Sequence, residues 1–220
     1  MPTEEPGTVG AGARAVAPVA LAVAAFGLTF GVLARDAGFG SVAMVVFSAT
    51  TFAGSAQFAT ASVLSAGGTV AAAIAAAVLL NTRYVPIGIS VAPTLSGPVW
   101  KRALRAQLVV DESWAVAHRG GGRYDPALIL GAGLVLWFTW VTSTALGAVA
   151  GDLLGDPERL GLDAAFPALF LALLVGQIDG PRAVQAAFLG AAIALCLVPF
   201  VPVGVPIVAA AAACLLGLRR

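Results

Sequence analysis

Residues 69–92 read TVAAAIAAAVLLNTRYVPIGISVA, 24 residues with one formal charge, Arg83. About 20 consecutive apolar residues in helical form cross the roughly 30 Å hydrocarbon core of a bilayer, so this stretch predicts a transmembrane helix. Its run Ala71–Ala77, broken only by Ile74, is of small residues, which let helix backbones approach closely where lipid offers no hydrophobic drive. Pro86 frees carbonyls one turn earlier, near Thr82, and predicts a bend there. Working outward from this segment gives the class of the chain.

The full chain has 220 residues, 60% hydrophobic and 10% charged, with a mean hydropathy of +0.96. A soluble domain carries roughly 25% charged residues, so an ordinary water-soluble fold is excluded. Disorder needs low hydrophobicity and high net charge and is excluded as well. A net charge of +1 leaves no basic footprint for nucleic acid. The class is an all-α polytopic membrane protein. Spans are expected over Ala15–Ala34, Ser41–Ser65, Thr69–Ala92, Ala127–Ala150 and Arg182–Pro199, with shorter ones over Asp163–Ile178 and Val203–Leu218. That makes about seven transmembrane helices. A polar tail, 1–14, precedes one transmembrane domain, 15–220, whose repeat-like halves 15–92 and 127–199 are joined by 93–126.

The joining stretch contains Lys101, Arg102, Arg105, Asp111 and Glu112 between Pro98 and His118, at helical spacing. Cytoplasmic loops carry an excess of Lys and Arg. If this segment lies flat as an interfacial amphipathic helix, Arg35, Lys101, Arg102, Arg105, Arg119, Arg123, Arg182, Arg219 and Arg220 share a face, against Arg14 and Arg159. If it crosses, the bias nearly vanishes. The lopsided arrangement is preferred. It places the segment at the cytoplasmic surface, the N-terminus outside and the C-terminus inside.

An internal repeat is also expected. Phe52-Ala53-Gly54-Ser55-Ala56-Gln57-Phe58 has a counterpart in Phe166-Pro167-Ala168-Leu169-Phe170, and Gly31–Asp36 resembles Gly147–Asp152. Three spans per unit would invert the second copy, and inverted repeats place sites near the midplane in several transporter folds.

Polar residues at membrane depth are costly and mark function. Gly54, flanked by Ser55 and Gln57, suggests a helix break that frees backbone groups for a polar ligand; interhelical packing is the other role open to Ser and Thr here. The Gln57 amide must find partners away from lipid. Arg83 sits about nine residues from its helix end, roughly 13 Å at 1.5 Å per residue, beside Asn81. Its planar fork matches a carboxylate; snorkelling or pairing with an internal acid is the alternative. Asp111 and Glu112 either face a cavity, where they would shuttle protons or balance Arg83, or are solvated and paired with a local base such as Arg105. Asp163 and Asp179 read as helix-end residues. His118 sits in a polar loop, and Cys196 and Cys214 read as small hydrophobes, so neither a metal site nor any other cofactor site is expected. There is no HExxH and no P-loop, and Gly54-Ser55-Ala56 lacks the GxSxG pattern. No catalytic residue is assigned.

At Phe52–Phe58 and Asn81-Thr82-Arg83-Tyr84 the chain resembles the AzlC family of bacterial branched-chain amino acid exporters. Asp111-Glu112, Phe166–Leu174, Pro18 and Phe26-Gly27 extend the resemblance over roughly residues 15–218. It implies export of leucine, isoleucine or valine across the inner membrane, and a small hydrophobic partner of the AzlD type. The family often has His where this chain has Tyr84. The combined expectation is a secondary transporter with a central site of Gly54, Ser55, Gln57, Asn81 and Arg83. Proton coupling would pass through Asp111 or Glu112. A passive channel or pore and a non-transporting subunit of a permease complex are the alternatives from other classes.

Overall fold

The computed structural model describes residues 7–154, 171, 174, 175, 178, 180–201 and 205–213. The motif at 166–170, most of the span expected over 163–178, Asp163, Asp179 and Cys214 lie outside them. Within the described residues the chain is all-helical: α1 Val9–Asp36, α2 Ser41–Thr51, α3 Gly54–Ser65, α4 Val70–Asn81, α5 Tyr84–Val91, α6 Val99–Ala106, α7 Asp111–Ala117, α8 Pro126–Leu154, α9 Pro181–Leu197 and α10 Val205–Ala210. Two of these, α1 and α8, are long and apolar enough to cross a membrane. The pair α4 and α5, bent by 43° at the break between them, makes up to a third.

Helices α1 and α8 form the frame. They run parallel, because Gly12 lies against Leu128 and Ala132 near one end while Gly31 lies against Thr144, Gly147 and Ala148 near the other. Glycine makes this approach work: a methyl on Gly12 would sit 2.9 Å from Leu128 Cα, and one on Gly147 would sit 3.0 Å from Leu28 Cα. Backbone on both sides of the seam leaves no room for a side chain. Thr8 caps α1 by accepting a hydrogen bond from Ala11 N–H (3.1 Å). Asp125 caps α8, accepting from Ala127 N–H (2.9 Å) and Leu128 N–H (3.3 Å), and also ties down Gly7 N–H at 2.6 Å.

The span expected over Ser41–Ser65 does not pass straight through. It divides at Phe52-Ala53, where Phe52 is left-handed with φ 42°, and doubles back. Helix α2 begins beside the end of α1, where Arg35 donates to Ser41. It ends where Trp137 Nε1 donates to the Ala49 carbonyl (2.9 Å). At 1.5 Å per residue Trp137 is about 16 Å along α8, near its middle. Helix α3 starts at that level, with Gly54 against the Trp140 ring, and returns. The side-chain bond from Gln57 to Ser48 (2.9 Å) joins residues nine apart, a separation a straight helix would stretch to about 13 Å. After a turn α4 packs back along α3 through Ala59, Val63, Ala73 and Ala76. Helix α5 then continues to the start of α8, where Val91 and Leu95 pack on Leu128 and Ile129.

The segment 98–118 is likewise a hairpin and not one flat amphipathic helix. Helix α6 keeps Lys101 and Arg102 exposed, as expected of it, with Arg105 half-buried. The chain then turns inward through buried Leu108, Val109 and Val110. Helix α7 starts at mid-depth and runs back to Ala117, packed beside Leu128 and Ile129. The Ser113 hydroxyl pins this turn, accepting from Val110 N–H (2.9 Å) and bonding the Leu108 carbonyl (2.8 Å).

Two sequence expectations change as a result. The start of α1 shares an end of the molecule with the basic 118–125 loop, since Gly7 bonds Asp125 and Arg119 lies 3.5 Å from the same carboxylate. The N-terminal helix therefore does not begin on the face opposite segment 98–118. And α1 and α8, the leading helices of the two expected repeats, are parallel rather than inverted, because 41–65 turns back and contributes no crossing between them.

Candidate functional site

The tips of both hairpins and the bend between α4 and α5 meet beside the middle of α8. Lipid-exposed backbone breaks are not tolerated in a membrane, so freed groups need partners. The carbonyls at the end of α2 have them: Gln107 Nε2 donates to the Thr50 carbonyl at 2.7 Å, and Trp137 Nε1 takes Ala49. One hairpin tip thereby holds the other. The start of α3 differs. No side chain caps it, and its first N–H bonded within the helix is Gln57, to the Ala53 carbonyl (3.0 Å). The preceding N–H groups, at Gly54 and Ser55, face this junction with the partial positive charge of a helix N-terminus.

Arg83 lies at the bend between α4 and α5. Its Nη2 donates to Ser55 Oγ (3.0 Å) and pairs with Asp111 Oδ2 (3.1 Å), and its guanidinium stacks over the Tyr84 ring at 5.1 Å. Nε of Arg83 and Oδ1 of Asn81 are both buried without a hydrogen-bond partner. A cavity of about 220 Å³ opens here, with Gly54, Ser55, Arg83, Tyr84, Asp111 and Glu112 on its polar side. Val23, Phe26, Phe58, Leu136 and Trp140 give it an apolar wall. A larger cavity of about 590 Å³ lies between α5 and α6 and reaches Asn81. The smaller is below the roughly 300–1,000 Å³ typical of drug-sized ligands, a size suited to a single small molecule with one charged and one aliphatic end.

The sequence candidates are thus brought together unequally. Gly54, Ser55 and Arg83 line the smaller cavity together with both acids, and Asp111 pairs with Arg83. Arg105 instead bonds the Ser96 carbonyl (2.8 Å). Asn81 lines the larger cavity. Gln57 is fully buried behind the site, donating to Ser48 Oγ (2.9 Å) and accepting from Trp140 Nε1 (2.9 Å), with Ser48 bonded onward to Thr144 (3.2 Å). His118 is an exposed residue in a one-bridge turn with Tyr124. Among the described residues no cluster of His, Cys, Asp and Glu is arranged to hold a metal ion.

Three lining residues escaped the sequence reading. Trp140 carried a signal, since an indole N–H in an apolar helix must find an acceptor. Tyr84 was read only as a departure from a family pattern, although it lines both cavities. Phe52 carried none, because an aromatic residue is a poor choice for left-handed backbone.

Outside the span helices, Asp125 is the group with a resolved electrostatic role. Burial works against its ionised form, but N–H donors from Gly7, Leu128 and Ala127, with Arg119 nearby, outweigh it and hold the carboxyl below its usual range.

Comparison with known proteins identifies the family. The family model described as AzlC protein matches residues 18–154. An uncharacterized membrane protein of Archaeoglobus fulgidus is 33% identical over 187 residues, covering 81% of this chain and 79% of that one. The inner membrane protein YgaZ of Escherichia coli is 29% identical over 189 residues, 79% of this chain and 76% of its own. The branched-chain amino acid transport protein AzlC of Bacillus subtilis is 24% identical over 157 residues, 69% of this chain and 60% of its own. No solved structure matches. With the family model covering more than half of its length, the chain belongs to the AzlC family of membrane proteins.

Proposed function

We propose that this chain is a secondary transporter that exports branched-chain amino acids across the bacterial inner membrane, coupled to protons and completed by a small AzlD-like membrane subunit. The observation that carries the reading is Arg83, held at mid-depth against Ser55 and Asp111 beside an apolar-walled cavity. The substrate carboxylate takes the guanidinium and the free N–H groups of Gly54 and Ser55, a geometry that favours a planar anion. The buried Asn81 oxygen, which lacks a donor, lies in the larger cavity and suits an amino acid's ammonium on its way to Arg83. The walls of Val23, Phe26, Leu136 and Trp140 suit an aliphatic side chain, and Gln57 supports them from behind through Trp140.

Coupling follows from competition. The substrate carboxylate takes Arg83 while its ammonium needs an ionised Asp111 or Glu112, so that acid holds either the ammonium or a proton, and the empty site returns with the proton. Asp111, with Glu112 beside it, carries that proton in the direction opposite to the substrate. The end of the molecule bearing Arg14, Lys101, Arg102, Arg105, Arg119 and Arg123 faces the cytoplasm on the positive-inside rule, with Arg35 at the other end of α1. On this orientation the start of α1 is cytoplasmic, a revision of the outside placement that the count of seven crossings implied.

The test is counterflow of labelled leucine in proteoliposomes, with and without a proton gradient. Arg83→Ala is expected to abolish exchange, whereas retained exchange would sink the site. Exchange that never concentrates leucine under a proton gradient would favour a passive pore.

A further inference from the structure

The two cavities meet at two residues. The larger runs between α5 and α6, from Leu95 and Val99 at one end of the molecule inward to Asn81 and Gln107. The smaller holds the Arg83–Asp111 pair. The lining residues they share are Phe52 and Tyr84. Both sit at chain breaks, Phe52 between α2 and α3 and Tyr84 just past the bend between α4 and α5. Breaks are where a packed helical structure can rotate its parts with the least loss of hydrogen bonding.

Each residue is held by something that a ligand in the site would disturb. The Tyr84 ring lies under the Arg83 guanidinium at 5.1 Å, and its hydroxyl is 3.5 Å from Arg83 Nη2. Whatever reorients Arg83 reorients that ring. Phe52 is 7% exposed and is the non-glycine residue with positive φ among the described residues. A bulky side chain persists in left-handed backbone only where its surroundings over-determine it, and such positions cluster at switches. Here the surroundings are the bonds from Gln107 and Trp137 to the carbonyls two and three residues before it, respectively.

We propose that Phe52 and Tyr84 form the partition that cargo crosses between the larger cavity and the Arg83 site, with the strained Phe52 backbone as its hinge. Its purpose rests on the transport reading, but its existence is measurable without transport. The full-length chain with Cys196→Ser and Cys214→Ser receives one new thiol, either Ala106→Cys in the larger cavity or Val23→Cys in the smaller. Labelling by a membrane-impermeant maleimide is timed in inside-out and right-side-out vesicles.

The Ala106→Cys thiol is expected to react from the face carrying α6, at a rate the partition variants leave unchanged, which also certifies that they are folded. The Val23→Cys thiol is expected to react at least tenfold more slowly from that face. Tyr84→Ala should raise its rate about tenfold. Phe52→Leu, which trims the ring without touching the backbone, should raise it by a smaller factor. A Val23→Cys rate equal to that of Ala106→Cys with the partition intact overturns the proposal. So does a rate within twofold of the starting value in both variants. A chain that labels as expected but shows no leucine counterflow keeps the partition and loses the transport reading.

Discussion

Gln57 offers the sharpest separation between a ligand-binding residue and a residue that holds the site in shape. Gln57→Leu keeps the volume and removes the amide. Two bonds vanish, the 2.9 Å donation to Ser48 Oγ and the 2.9 Å acceptance from Trp140 Nε1. Ser48 keeps Thr144 as a partner, but the Trp140 N–H is left buried without an acceptor. Two neutral hydrogen bonds at about 1 kcal/mol each, plus part of the roughly 1–3 kcal/mol for an orphaned buried donor, give a loss of about 2–4 kcal/mol. At roughly 2–4 °C per kcal/mol for a chain of this size, the melting temperature in detergent should fall by roughly 4–16 °C. Removing the orphan should restore part of this. Gln57→Leu with Trp140→Phe is expected to be less destabilised than the sum of the two single variants, by roughly 0.5–3 kcal/mol of coupling. Leucine counterflow at a temperature where Gln57→Leu is folded should survive within a few-fold. Additive losses, or counterflow abolished as fully as in Arg83→Ala, would refute the assignment of Gln57 to the supporting network.

Three further outcomes follow from the same geometry. Gly147→Ala forces a methyl against the Leu28 backbone, 2.9 Å from its carbonyl carbon, and should cost about 1–3 kcal/mol by overpacking. Gly88→Ala in α5, with nothing within 4 Å, should be neutral or stabilising by up to about 1 kcal/mol; equal effects in thermal melts would deny the close α1–α8 seam. Asp125 has a depressed carboxyl, so its contribution is complete above the ordinary Asp value of about 3.9 and is lost as pH falls through the lower folded-state value. Asp125→Asn preserves a good N-cap and should therefore flatten the acid limb of the stability profile while changing little at pH 7 beyond a constant offset. In Arg83→Gln the broken ion pair has partners that are 35% and 44% exposed, so stability should fall by only about 0–1 kcal/mol while leucine exchange is lost. Parallel losses of stability and exchange would make Arg83 a structural anchor.

The membrane class, the bend near Thr82 and the pairing of Arg83 with an acid were all legible in the sequence, because each follows from local chemistry. Pro86 removes a helix bond, and a guanidinium among alanines and leucines needs a counter-charge. The Gly54 break was legible to within two residues, since Ser and Gln beside glycine in an apolar run signal freed backbone. The position of the reversal, at Phe52, was not, because tertiary bonds from Gln107 and Trp137 impose it against the residue's own preference. Asp111 and Glu112 looked like members of a surface helix because the exposed Lys101 and Arg102 precede them at helical spacing. Leu108, Val109 and Val110, three apolar residues in a row ahead of them, were the sign that the chain turns inward.

The single crossing expected over Ser41–Ser65 is not made, for a reason that lies in lengths. Ser41–Ser65 is 25 residues, enough for one helix across roughly 30 Å of hydrocarbon. It is equally enough for two helices of 11 and 12 residues, each about 16–18 Å long, to reach the middle and return. Hydropathy is the same in both cases. What differs is where the polar side chains must be. A crossing helix has no reason to gather Thr50, Thr51, Ser55 and Gln57 at its centre, where each needs a partner, whereas a hairpin tip brings such groups to meet other chain breaks. In this chain Ser48 and Gln57 satisfy each other only because the segment folds back, and Ser55 reaches Arg83 only because α4 returns along α3. A polar cluster at the centre of an apolar stretch of this length, facing a second cluster with a lone arginine, is therefore evidence for a reversal. Applied to 98–118, where Gln107 and the two acids flank an apolar turn, the same criterion identifies the second hairpin.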